Sequence, residues 1–158
     1  MIKVTKFAHV GLWVKDIERS VRFYRDILGF QVSDVVEAKE GRDGTYVFMR
    51  HGTDHHSLLL CEMSRERAAM RPAQKTELQH LSFEVADREA LKRALAFLKA
   101  QGVEIYRYGK HDPGGNYYID FFDPDGNRVE IQCEMEQIGW DGRAKPKELW
   151  APKHGTLD

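Results

Sequence analysis

Two segments of the chain alternate apolar and polar residues in the same way. His9 to Asp16 reads His-Val-Gly-Leu-Trp-Val-Lys-Asp, and His80 to Asp87 reads His-Leu-Ser-Phe-Glu-Val-Ala-Asp, a shift of 71 residues. Each alternating run reaches an aspartate, which predicts a half-buried strand that leads into the N-cap of a helix. The chain therefore contains two similar units, each opening with a strand and a helix.

Each predicted helix is followed by three predicted strands. Apolar residues at helical spacing follow both aspartates, and Gly29 and Gly102 are typical of the residue that ends a helix. Asp125-Gly126 predicts a hairpin turn between the last two strands. The predicted strands cover residues 30–36, 45–49 and 56–61 in the first unit, and 103–108, 117–122 and 128–133 in the second.

The two units also end alike, because Cys61-Glu62-Met63 matches Cys133-Glu134-Met135 at a shift of 72. The predicted fold class is α+β, with two paired βαβββ modules that form a curved mixed sheet around a cleft. One helix covers only one sheet face, so the open faces of two such modules should pack together. We expect a single domain over residues 1–135, with modules at 5–63 and 78–135, a linker at 64–77 and a C-terminal extension at 136–158.

Charge and hydropathy exclude several classes of function. The 158 residues contain 24 Lys and Arg against 25 Asp and Glu, and the sequence has no basic block, which argues against a nucleic-acid partner. No apolar run approaches the roughly 20 residues that span a bilayer, so no membrane association is expected. Two cysteines form no disulfide framework and fit a reducing, cytoplasmic location. Trp140 and Trp150 predict that the extension packs on the domain or on a neighbouring subunit.

The repeat points to a metal site. His9 and His80 occupy the same position of the two first strands, and Glu130 lies among apolar residues, where a carboxylate is costly unless it is paired or metal-bound. The counterpart of Glu130 in the first unit is Leu58, or Leu59 after a slip of one residue. Two histidines and one carboxylate with open positions are typical of non-haem Fe(II) oxygenases. Mn(II) fits the same ligands, and a Zn(II) hydrolase site is the generic competitor.

Further polar side chains are expected near this metal. His56 has the parity that points into the cleft, and its neighbour His55 should point the other way. His111 lies in a glycine-rich loop, and Tyr118 and Asp120 follow on the next strand. A histidine with a near-neutral pKa beside a metal-bound phenol is suited to proton transfer. An exposed turn for the His55-His56 pair and a flexible loop at His111 are the alternatives without function.

Three segments resemble a known family. Residues 9–16, 23–30 and 122–130 are similar to the signature segments of the vicinal oxygen chelate superfamily, which includes glyoxalases, bleomycin and fosfomycin resistance proteins and type I extradiol dioxygenases. The resemblance covers roughly residues 5–135. It implies paired βαβββ modules around a divalent metal that holds vicinal oxygens of a substrate. It also implies the metal ligands His9, His80 and Glu130.

Within that superfamily, residues 54–60 resemble the extradiol dioxygenase segment in which His56 acts as acid or base, and Gly109-Lys110-His111 resembles its substrate-binding segment. One departure is that the extradiol tyrosine ten residues before the glutamate is Asp120 here, so its role moves to Tyr118 or is missing. The resemblance implies Fe(II)-dependent ring cleavage of a catechol-like diol by O2 in a homodimer. The implied catalytic residues are His56, His111 and Tyr118, and the implied substrate contacts are His111, Tyr118, Asp120 and Phe48.

Three other functions within the superfamily remain open. A glyoxalase-like isomerase or an epimerase generally needs a carboxylate on the last strand of the first unit, where Leu58 or Leu59 stands; Glu62 would supply it only if the strand were shifted by several residues. A thiol-transfer resistance enzyme also uses two histidines and one glutamate. A drug-binding module of the bleomycin-resistance type commonly lacks the three ligands, so their presence counts against it.

Overall fold

The computed structural model describes residues 7–38, 44–70, 78–111, 114–137 and 146–158. The chain divides into two compact units, Met1–Lys75 and Thr76–Asp158, here called unit 1 and unit 2. The elements of unit 1 are β1 (Val10–Val14), α1 (Ile17–Asp26), β2 (Gln31–Val36), β3 (Tyr46–Arg50), β4 (Leu58–Glu62) and α2 (Arg65–Met70). The elements of unit 2 are β5 (Leu81–Glu84), α3 (Arg88–Ala100), β6 (Ile105–Lys110), β7 (Tyr117–Phe122), β8 (Arg128–Cys133), a 3-10 helix (Lys147–Leu149) and β9 (Lys153–His154).

Each unit contains one mixed sheet. The strand order in unit 1 is β1-β4-β3-β2, and in unit 2 it is β5-β8-β7-β6-β9. The first strand of each unit lies parallel to the last strand of its module, and the other pairs are antiparallel. The predicted βαβββ order and the α+β class are confirmed.

The helix boundaries follow from capping. The Asp16 side chain accepts a hydrogen bond from the Arg19 amide at 2.9 Å, and Asp87 accepts one from the Ala90 amide at 2.7 Å. Gly29 and Gly102 have positive φ angles of 73° and 71°. In both cases the glycine amide and the amide after it donate back to the last turn of the helix, as in a Schellman motif. The two aspartates and two glycines therefore mark the helices as predicted.

Alternation sorts the side chains of unit 2 onto two faces of its sheet. One face is apolar, and α3 packs against it through Leu91 and Leu98. The opposite face carries polar side chains that are nevertheless buried. The apolar face includes Tyr117, Ile119, Phe121, Val129 and Ile131, whereas the polar face includes Tyr118, Asp120, Glu130 and Gln132.

The strand register identifies the counterpart of Glu130 in unit 1. Glu130 lies opposite Ser82 on the parallel first strand, and the residue 71 positions before Ser82 is Gly11, which lies opposite Leu59. Leu59, the second of the two positions considered above, is therefore the counterpart. The Cys-Glu-Met similarity runs one residue out of register, because Trp13 pairs with Cys61 whereas Glu84 pairs with Gln132.

Two segments outside the modules contain elements that the pattern did not predict. The segment expected to be a linker contains helix α2. The C-terminal extension adds β9 to β6 as the edge strand of the second sheet, and Leu157 is buried. Trp140 lies outside the described residues. In the described parts of the chain, every helix is too short or too polar to cross a membrane.

Candidate metal and substrate site

Four polar residues lie side by side across the sheet of unit 2. In register, Arg107 pairs with Asp120, Asp120 with Glu130 and Glu130 with Ser82. We call these four residues the polar row. Asp120 is 0% exposed and Glu130 only 4% exposed. Two buried carboxylates on one sheet face are costly, so the groups around them must supply hydrogen bonds or positive charge.

Glu130 is held by donors on both sides. The Ser82 hydroxyl donates to Glu130 Oε1 at 2.6 Å, and Nε2 of His111 lies 3.0 Å from Glu130 Oε2. The imidazole of His111 stacks on the ring of Tyr118 with a centroid distance of 3.7 Å and an interplanar angle of 12°. Burial raises the pKa of Tyr118, so its phenol stays protonated at neutral pH. Unit 2 thus brings together three of the predicted site residues.

His80 lies at the edge of this group. Its Nδ1 contacts the side-chain oxygen of Gln79 and lies 2.9 Å from Nη2 of Arg128. The two contacts require opposite tautomers, because the amide oxygen can only accept a hydrogen bond from Nδ1–H, whereas the guanidinium can only donate one to an unprotonated Nδ1. When Nδ1–H donates to Gln79, the Nε2 lone pair is left for a metal, which is the usual arrangement for a histidine ligand.

Asp120 is surrounded by positive charge. Its Oδ2 accepts a hydrogen bond from Nε of Arg107 at 2.7 Å, and Nη1 of Arg128 lies 3.9 Å from the same oxygen. Its Oδ1 is buried and receives no hydrogen bond from the described residues. The neighbouring guanidinium groups account for the burial of Asp120 as a carboxylate.

In unit 1, three histidines lie close together beside the ring of Phe48. The ring centroids of His9 and His56 are 4.6 Å apart, and His56 also packs edge-on against Phe48 at 5.0 Å. His55 does not point away as predicted: its Nδ1 lies 3.0 Å from Nδ1 of His56, and its ring contacts Phe48. Burial, and then the charges of His9 and His55, lower the pKa of His56. His56 is therefore neutral at pH 7 and able to accept a proton.

The matching row of unit 1 is mostly apolar. Gly11, Leu59 and Phe48 take the places of Ser82, Glu130 and Asp120, and Asp34 takes that of Arg107. Trp13 and Tyr46 contact edge to face at 6.4 Å on the same side of the sheet. Among the aromatic residues of the two sheets, Phe48 and Tyr46 are half-buried, Tyr118 is buried, and Phe122 is exposed and contacts Tyr106. Unit 1 therefore offers rings, whereas unit 2 offers charges.

The predicted metal ligands are divided between the units. His9 belongs to unit 1, and His80 and Glu130 belong to unit 2. Among the described residues, no three His, Cys, Asp or Glu side chains lie together in a group that would hold a metal ion. The triad of His9, His80 and Glu130 therefore stays a prediction.

Three residues around these ligands were missed by sequence reasoning. Ser82, Arg107 and Arg128 contact Glu130, Asp120 and His80, but each is an ordinary residue type for an exposed strand position. The one available signal was the repeat, in which a hydroxyl at Ser82 replaces the glycine at position 11.

Comparison with known proteins places most of the chain in one family. Residues 6–131 match the model of the Glyoxalase/Bleomycin resistance protein/Dioxygenase superfamily. Among solved structures, the trypanothione-dependent glyoxalase I of Leishmania major is similar, with a TM-score of 0.64 and 25% identity over 83% of this chain and 88% of that chain.

Curated relatives of similar identity are named for different activities. A manganese-dependent 2,3-dihydroxybiphenyl 1,2-dioxygenase of Geobacillus genomosp. 3 is 28% identical over 85% of this chain and 38% of its own length. A probable lactoylglutathione lyase of Vibrio parahaemolyticus is 28% identical over 87% of this chain and 97% of its own length. The chain spans less than half the length of the ring-cleaving dioxygenases that it matches. Sequence identity therefore does not distinguish a dioxygenase from a lyase.

Proposed function

The chain belongs to the Glyoxalase/Bleomycin resistance protein/Dioxygenase superfamily, and we propose that it is a metal-dependent ring-cleaving dioxygenase of the extradiol type. Its substrates would be an aromatic vicinal diol and O2. The observation that carries this proposal is the register of unit 1, in which Leu59 is the counterpart of Glu130. With a leucine there, only two histidines and one carboxylate are left as ligands, and this set keeps positions open for a diol and O2.

The residues of unit 2 fit a divalent metal. Glu130 is a buried carboxylate whose oxygens are oriented by Ser82 and His111, and His80 has an oxygen acceptor for Nδ1 that leaves Nε2 for coordination. We propose His9, His80 and Glu130 as ligands, with Fe(II) as the preferred ion and Mn(II) as a substitute, since both accept nitrogen and oxygen donors. When bound, the ion would supply the Lewis acidity for diol binding and the chemistry of oxygen activation.

His56, His111 and Tyr118 would handle protons and orient the substrate. His56 is neutral at pH 7 and therefore suited to take a proton from a diol hydroxyl and to return it to the product. His111 and Tyr118 form one stacked pair beside Glu130, so a hydroxyl bound at Glu130 is within reach of a donor. Phe48, which packs against His56, would contact the substrate ring.

The position of Glu62 disfavours the isomerase alternative. Side chains alternate along β4, so Glu62 lies on the same sheet face as Leu58 and Leu60, which are fully buried, and on the face opposite Leu59. Helix α1 contacts β4. Its carboxylate accepts a hydrogen bond from the Thr45 amide at 3.0 Å. This contact ties Glu62 to the start of β3, so it does not replace the carboxylate missing at Leu59.

The experiment that tests the proposal is oxygen uptake by protein loaded anaerobically with Fe(II). A small panel of catechols is added, and uptake is followed together with the yellow ring-opened product. We expect both signals with wild type and neither with Glu130→Ala, which should lose the metal. A chain that binds one metal but consumes no oxygen with any diol would contradict the dioxygenase proposal and favour a lyase or a thiol transferase. Light scattering of the same samples tests the proposed homodimer.

A further inference from the structure

Arg107 lies at the outer end of the polar row, on the same face as Glu130 and two strands away from it. Neighbouring strands are about 4.8 Å apart, so the two backbone positions are separated by about 10 Å. An aromatic ring with one substituent spans a distance of this order. A ring held by its oxygens near Glu130 therefore reaches Arg107 with the substituent on its far side.

Asp120 uses only part of the hydrogen-bonding capacity of the Arg107 guanidinium. Its Nε–H donates to Asp120, and Asp120 is the one carboxylate with which it pairs among the described residues. The side chain is 44% exposed, and four N–H groups on its two Nη atoms remain. Two parallel N–H groups of this kind match the two oxygens of a carboxylate.

A chain of contacts connects Arg107 with the candidate metal ligand. The guanidinium carbon lies 5.5 Å from the ring centroid of Tyr118, Tyr118 stacks on His111, and His111 contacts Glu130. All four side chains therefore lie along one face of the sheet of unit 2, where Tyr118 and Glu130 are buried and Arg107 is partly exposed. A ligand that binds at Glu130 and extends along this row reaches Arg107 at its outer end.

The charge balance of this row would favour an anion once a divalent metal is bound. Arg107 and Arg128 share one oxygen of Asp120, and Glu130 is the second carboxylate, so the two cations and two anions balance. A divalent metal bound to Glu130 would leave the row with an excess of two positive charges. Substrate binding would bring an anion into this excess of positive charge, which lowers the cost of burying that anion.

We propose that Arg107 binds a carboxylate substituent of the aromatic diol and thereby selects carboxylated diols over neutral ones. This inference rests on the proposed function for the identity of the ring, but not for the anion site itself. Asp120 then acts behind Arg107 as a positioning residue and does not contact the substrate.

The test compares an anionic ligand, 3,4-dihydroxybenzoate, with its neutral methyl ester. Their dissociation constants are measured by calorimetry with Fe(II)-loaded protein under exclusion of oxygen, and oxygen uptake is then measured with the same samples. We expect wild type to bind the acid at least 10-fold more tightly than the ester. Arg107→Gln should reduce that preference by about 10- to 100-fold, the range for a hydrogen bond between charged groups.

Two further variants keep the test decisive. Arg107→Gln leaves Asp120 without its closest cation, so Arg107→Gln/Asp120→Asn restores a neutral pair if the single variant fails to fold. Arg93→Gln removes an arginine from the exposed surface of α3 and should keep the preference.

Each outcome separates the two proposals. Equal binding of acid and ester by wild type, binding of neither, or a preference that survives in both Arg107 variants would overturn the anion site. A preference for the acid that Arg107→Gln removes, without oxygen uptake from any diol, would support the anion site and contradict the dioxygenase.

Discussion

At the residue scale, the two units differ most at matching positions of one row. Ser82, Glu130 and Asp120 replace Gly11, Leu59 and Phe48, and the backbone pairing of these positions is the same in both units. Buried carboxylates are stable only where donors and cations accompany them. The Ser82 hydroxyl and the Arg107 and Arg128 guanidiniums meet this need.

The Ser82 hydroxyl should tune metal affinity. Ser82→Ala removes the donor to Glu130 Oε1, so the carboxylate is less well oriented, and we expect metal binding about 10- to 100-fold weaker. Glu130→Ala should abolish binding, because it removes a proposed ligand. Competition titration with a chromogenic chelator measures both affinities. Unchanged affinity in Ser82→Ala would show that the hydroxyl does not orient a ligand.

His56 should matter for turnover and not for metal content. We expect His56→Ala to bind metal normally and to lose about 10²- to 10⁴-fold in kcat, the usual contribution of a positioned acid or base. His51→Ala is the matched control, because His51 is an exposed histidine that packs against Phe30 at the other end of the same strand connection. Metal analysis and oxygen uptake on the same samples check the prediction, and loss of metal in His56→Ala would contradict it.

The sequence predicted residues whose signal lay in the repeat or in an unusual position. His9 and His80 matched each other, and Glu130 was a charge within an apolar strand. Arg107 and Ser82 carry no such signal, because each is a common residue on a strand face. The orientation of His55 was wrong because alternation applies only within a strand, and β4 begins at Leu58.

At the element scale, local chemistry made most boundaries predictable. Aspartate caps and Schellman glycines fixed the helices, and β7 and β8 have the predicted bounds, because alternation, the Asp-Gly turn and flanking polar residues agree. Strand β9 was not predicted, since two residues are too few to show any period. It forms because the edge of β6 offers unpaired backbone groups, and a glycine there allows close approach.

Gly109 should be required for the docking of β9. A Cβ at this position would overlap the carbonyl oxygen of Lys153, so Gly109→Ala should displace β9 from β6. We expect faster trypsin cleavage after Lys153, measured by mass spectrometry, and a lower melting temperature. Gly102→Ala is the control, because it strains a positive φ by about 1–2 kcal/mol without meeting any neighbour and should leave β9 protected. Equal cleavage of wild type and Gly109→Ala would contradict this role.

At the scale of the whole molecule, one strand-helix-strand-strand-strand pattern occurs twice, and different segments complete the two copies. The edge of unit 2 is covered by β9, whereas the edge strand β2 of unit 1 leaves Val32 and Val35 exposed. The units also differ in polarity along the matching row, which is mostly apolar in unit 1 and carries the polar row in unit 2. The repeat predicted the common architecture, but it contains no information on the segments that lie outside it, which are α2 and β9.

Metal-linked stability tests whether both units contribute ligands. An ion that binds only the folded chain, at 100 times its dissociation constant, raises the free energy of unfolding by about 2.7 kcal/mol. We expect this increase for wild type in thermal melts with and without the metal, and its loss in both His9→Ala and Glu130→Ala, although these residues belong to different units. His154→Ala, an exposed histidine on β9, should keep it. If His9→Ala kept the full increase, unit 1 would supply no ligand, and the proposed triad would have to be replaced by ligands from unit 2 alone, where Glu130 and His111 already lie in contact.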